Sequence, residues 1–64
     1  MRTCFEWGEG TLAITLEQRS DLTFRVTYGR EVTDNLNYSR AAAVLGSCIM
    51  HALACEDVLD NSGT

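Results

Sequence analysis

The sequence predicts an α+β domain in the order β-β-β-α. It has a three-stranded antiparallel meander, with a short fourth strand as an option, and one C-terminal helix packed on one sheet face. Three observations carry that expectation. The first half alternates apolar and polar residues with period two. The second half spaces its apolar residues as a helix does. Short polar clusters separate the segments, and the 64 residues contain no proline. A chain of this length makes one small domain, residues 1–64, without linker, repeat or low-complexity stretch.

In TCFEW (3–7), Phe5 and Trp7 share one face, and Cys4 and Glu6 take the other. GEG (8–10) supplies a turn, because glycine reaches positive φ without steric cost. In TLAITLE (11–17), Leu12, Ile14 and Leu16 point one way, opposite Thr11, Ala13, Thr15 and Glu17. QRSD (18–21) reads as a second turn. In LTFRVTY (22–28), Leu22, Phe24, Val26 and Tyr28 alternate with Thr23, Arg25 and Thr27. One face is therefore apolar. The other is rich in threonine and is expected to meet solvent, with Glu6 or Glu17 pairing Arg25 across strands. Gly29 bulges or ends the third strand, and REVT (30–33) either extends it or forms a fourth; extension is the preferred expectation.

DNLN (34–37) is polar, and Asp34, Asn35, Asn37 and Ser39 are all able to cap a helix start. The helix is expected from Tyr38 to Val58 or Leu59, with DNSGT (60–64) as a frayed tail. At about 100° per residue, Ala41, Leu45, Cys48, Ile49, Ala52 and Leu59 form the stripe that meets Phe5, Trp7, Leu12, Ile14, Leu16, Phe24 and Val26. Val44, His51, Cys55 and Val58 flank it on one side, Ala42 and Leu53 on the other. The outward side holds Ala43, Gly46, Ser47, Met50, Ala54 and Asp57.

That outward side is unusual. A surface helix normally turns charges to water, yet only Asp57 is charged here. Gly46 adds a helix-propensity cost of about 1 kcal/mol relative to alanine. Small residues let another backbone approach, and methionine adapts to the surface it meets. Ala43, Gly46, Ser47, Met50 and Ala54 are the expected interface of a homodimer. A domain of this size buries little of its own surface, which favours a partner subunit. Glu56, Asp57 and Asp60 crowd the helix C-terminus, where the macrodipole disfavours anions, and form a candidate acidic docking patch.

Cys48, His51 and Cys55 resemble metal ligands in their spacing. Cys48 and Cys55 lie seven residues apart, roughly 10.5 Å along a helix, too far for a disulfide and uncomfortable for one zinc. Cys4, His51 and Cys55 remain the weak metal candidates, without an obvious fourth ligand. Core packing is the preferred role for the thiols, and no cofactor is expected. No catalytic set is expected either, since His51 with a cysteine lacks an orienting third group.

The net charge is −4, and the only cations are Arg2, Arg19, Arg25, Arg30 and Arg40, which form no stripe. Nucleic-acid binding is therefore disfavoured. The odd number of cysteines, three, and the direct run from Met1 into a strand point to a reducing cytoplasm, and no apolar run is long enough for a membrane. The leading functional expectation is a non-enzymatic, self-associating interaction module that binds another, basic protein. One concrete form is an inhibitor or adaptor occluding a nucleic-acid-handling protein, as small accessory proteins of phages and mobile elements do. The alternative is a regulatory nucleic-acid binder using Arg25 and Arg30 on the sheet face. A metal-stapled domain is the third reading.

Overall fold

The computed structural model describes residues 1–56. It contains β1 (Arg2–Trp7), a 3-10 turn (Gly10–Leu12), β2 (Ile14–Gln18), β3 (Phe24–Tyr28), β4 (Glu31–Leu36) and α1 (Tyr38–Cys55). The four strands form one antiparallel sheet in the order β1-β2-β3-β4. The helix lies on one face, so the architecture is α+β as the alternation and helical spacing predict.

The expected preference for one extended third strand is corrected. The chain reverses at Gly29, whose φ is +58°, and Tyr28 pairs Glu31 to begin a full fourth strand. That strand runs through residues expected to cap the helix. Asn37 alone takes the cap role: its side chain accepts from the Arg40 amide at 2.8 Å. Five residues expected in strands also fall outside them: Thr11, Leu12 and Ala13 before β2, and Leu22 and Thr23 before β3. Leu12 belongs to the 3-10 turn. Leu22 sits in the β2–β3 turn at φ 69°, largely exposed.

Two bulges set which residues face inward. On β4, Asp34 and Asn35 together oppose Arg25, between the Val26–Thr33 and Phe24–Leu36 pairs. Asn35 absorbs the extra residue at φ 57°, a region asparagine tolerates. The parity change turns Leu36 inward, where it is buried. On β1 the register shifts between Thr3 and Phe5, so Thr3 pairs Glu17 while Phe5 pairs Leu16.

The core is thin. Among the described residues Ile14, Val26, Leu36, Ala41 and Ala52 are buried, and of these Ile14 and Val26 are the large side chains sealed from solvent. Leu16, Phe24, Val44, Leu45 and Cys48 pack partly buried around Val26, Leu36 and Ala41. At about 25 cal/mol per Å² of apolar surface, so few sealed side chains leave a small margin over chain entropy. The helix lies over β3 with β2 and β4 to either side, and β1 is at the margin of its footprint. Among the described residues no helix is long and apolar enough to cross a membrane. The expected helix end at Val58 or Leu59 and the tail 60–64 lie outside the described residues.

Candidate functional site

The outward face of α1 is built as the wheel predicts. Ala43, Gly46, Ser47 and Met50 are exposed, Met50 to 58%, and Ala54 is half-buried. From Ala43 to Ala54 this arc carries no charge. A Cβ placed on Gly46 would meet nothing within 4 Å. Packing inside the chain therefore gives no reason for glycine there, although the helix is less stable for it.

The flank holding His51 and Cys55 meets β3. The Tyr28 hydroxyl and His51 Nδ1 are hydrogen-bonded at 2.8 Å, with the rings edge-to-face at 5.7 Å. Desolvation raises the Tyr28 pKa, and the neighbouring Cys55, Cys48 and Glu56 add to the rise. The phenol thus stays protonated at neutral pH and can donate to Nδ1. Cys55 Sγ lies 3.9 Å from both ring nitrogens of His51. Cys4 stands on β1, its Sγ 3.6 Å from the Arg2 carbonyl. Among the described residues no three His, Cys, Asp or Glu side chains gather around one point. Cys48 packs beside Val26, Leu36 and Ala41, and burial pushes its thiol pKa up. All three cysteines are free thiols.

The sheet face away from the helix holds a charge cluster that sequence reasoning missed. Arg19 and Arg25 each direct Nη2 to Oδ2 of Asp34, Arg25 at 3.3 Å. The expected partners of Arg25, Glu6 and Glu17, do not take it. Glu17 is its cross-strand neighbour on β2, but on the other side β4 continues from the Val26–Thr33 pair and sets Asp34 opposite Arg25 on the same face. The Asn35 amide donates to Asp34 Oδ1 at 2.9 Å. That bond first, then Arg25 and Arg19, holds the Asp34 carboxyl below its ordinary pKa. The one available signal was Asp-Asn inside an otherwise strand-like run, since Asn is enriched at positive φ. Arg30 is exposed at the β3–β4 turn. Of the acidic docking patch, Glu56 is exposed at the helix C-cap, and Asp57 and Asp60 lie outside the described residues.

Comparison with family models, curated proteins and solved structures finds no match for this chain.

Proposed function

We propose that this protein is a non-enzymatic interaction module that self-associates through the outward face of α1 and presents an acidic surface to a second, basic protein. The observation that carries the reading is Gly46: a helix-interior glycine with open space around it, in an uncharged arc with Met50 exposed. Close approach of another backbone accounts for a residue that the fold itself does not require. The thin core supports the same reading, because burying this face adds stability that the single chain lacks. The chain's net charge of −4 supports a basic second partner through long-range attraction. Binding is favoured over catalysis because no polar or charged side chain is buried among the described residues, and the Tyr28–His51–Cys55 cluster opens to solvent.

Sedimentation equilibrium at micromolar concentration tests the reading. A dimer is expected, with folding stability rising as concentration rises. Met50→Arg places a charge in the contact and should shift the chain to monomer with its circular dichroism intact. A wild-type monomer across this range would overturn self-association.

A further inference from the structure

The three thiols of this chain stand in three different settings. The geometry points to Cys55 as a modification site: an exposed thiol, with His51 as its base, that takes up low-molecular-weight disulfides as a mixed disulfide. Cys55 lies on the flank of α1 that meets β3, away from the outward arc, so the site does not depend on self-association. The attacking form of cysteine is the thiolate, and a thiol reacts only as readily as its proton can leave. Cys48 is part-buried beside Val26, Leu36 and Ala41, and burial pushes its thiol pKa up. Cys4 is exposed, but its Sγ has the Arg2 carbonyl as neighbour at 3.6 Å. That carbonyl accepts a hydrogen bond and is no base. Cys55 is exposed as well, with Sγ 3.9 Å from each ring nitrogen of His51, the one histidine of the chain. An imidazole is the side chain best matched to proton transfer near neutral pH.

Tyr28 positions His51 for this role. Its Oη lies 2.8 Å from Nδ1, and the two rings meet edge to face. A phenol hydroxyl both donates and accepts. With the imidazole proton on Nδ1, the ring donates to Oη and its Nε2 lone pair is left for the Cys55 proton. The orienting third group that sequence reasoning did not find therefore comes from β3. The helix end decides how the proton moves. Cys55 is the last residue of α1, and His51 is one turn before it. The macrodipole there favours a cation and disfavours an anion, and the exposed Glu56 carboxylate acts in the same sense. An imidazolium is favoured at this end and a lasting thiolate is not, so the proton passes to His51 as the sulfur attacks.

The step is a thiol–disulfide exchange. Cys55 gives its proton to Nε2, and Sγ forms a bond to one sulfur of the incoming disulfide. The S–S bond of that disulfide breaks, and its electron pair leaves with the second sulfur. The departing thiolate takes the proton back from His51 and is released as a thiol. One disulfide is exchanged for another, so no further oxidant or reductant is needed. The product leaves an uncharged sulfur at a helix end that disfavours negative charge. Because the new disulfide stays on the chain, the step runs once per molecule and is a modification, not turnover.

The test uses the full chain and hydroxyethyl disulfide, an uncharged probe that the net charge of −4 neither attracts nor repels. Quenched time points, read by tandem mass spectrometry, give a separate rate for each cysteine. Cys55 should react about tenfold or more faster than Cys4, and Cys48 slowest of the three. His51→Ala should bring Cys55 down to the rate of Cys4, and imidazole added to the solution should restore part of the loss. A histidine that only packs would give no such rescue. His51→Gln can still bond Tyr28 but holds no base, and it should be as slow as His51→Ala. It carries the comparison if the alanine variant unfolds, which fast reaction of Cys48 would report. Equal rates at Cys55 and Cys4 in the wild type would overturn the proposal. So would a Cys55 rate unmoved by loss of the imidazole, or a folded alanine variant that imidazole does not rescue.

Discussion

Gly29→Ala should nearly unfold this protein, whereas Gly10→Ala should be mild. Both glycines hold positive φ, +58° and +67°. Alanine in that region costs about 1–2 kcal/mol, offset by about 0.5–1 kcal/mol from a less free unfolded chain. Gly10 has nothing within 4 Å of a built Cβ, so its net loss should be about 1 kcal/mol. A Cβ at Gly29 would lie 2.4 Å from the Thr11 carbonyl oxygen. That atom is backbone in the turn before β2, so relief needs chain movement and not a rotamer change. Overpacking of this kind costs about 1–3 kcal/mol. The shift also strains the 2.8 Å bond from the Gly29 amide to the Ala13 carbonyl, worth about 1 kcal/mol. The total loss is about 3–5 kcal/mol, against a stability of about 3–10 kcal/mol for 64 residues. At about 7 °C per kcal/mol for a domain this size, Gly10→Ala should lower Tm by about 7 °C. Gly29→Ala should lower it by about 20–35 °C. Thermal and urea unfolding by far-ultraviolet circular dichroism, at one fixed protein concentration, measures both. Equal losses at the two positions would refute the argument that turn and hairpin backbones are in contact there.

Other expectations follow from particular contacts. Cys48→Ala should cost about 1 kcal/mol through lost packing, and a chelator should leave wild-type unfolding unchanged; stabilisation by added zinc would contradict the packing role. The Asp34 carboxyl has a lowered folded pKa, so it stabilises the fold above its unfolded value, about pH 4. That contribution should fade as pH falls further, and Asp34→Asn should flatten the acid limb of an unfolding titration. Tyr28 has a raised folded pKa, so stability should fall as pH rises beyond about 10. Tyr28→Phe should remove that loss and also shift the His51 ring resonances in NMR spectra. Ile14→Val should cost about 1 kcal/mol and Ile14→Ala about 3, read from urea midpoints, since Ile14 is sealed from solvent.

How much of this was legible depends on how local each cause is. Side-chain direction along a strand repeats every two residues. Phe5 with Trp7, Ile14 with Leu16, and Phe24 with Val26 were therefore sorted correctly by alternation alone. The inward stripe of α1 and its uncharged outward arc follow from 3.6-residue periodicity in the same way. Asn37 was among the expected caps because its side chain bonds an amide only three residues on. The β-β-β-α reading, with its optional fourth strand, is a sum of such local causes.

The tertiary structure decided what local rules leave open. One extra residue in β4 reverses parity, so Leu36, which looked like part of a polar cap, completes the core. The pairing of β4 with β3 sets Asp34 opposite Arg25, which binds it and not Glu17. Tyr28 meets His51, and β1 is left beside the helix and not beneath it, because of where α1 lands across the sheet. Amphipathicity specifies which side of a helix is buried but not over which strands. That lateral choice is made when Ala41 closes over Val26 and Leu36, residues that only the assembled sheet brings together.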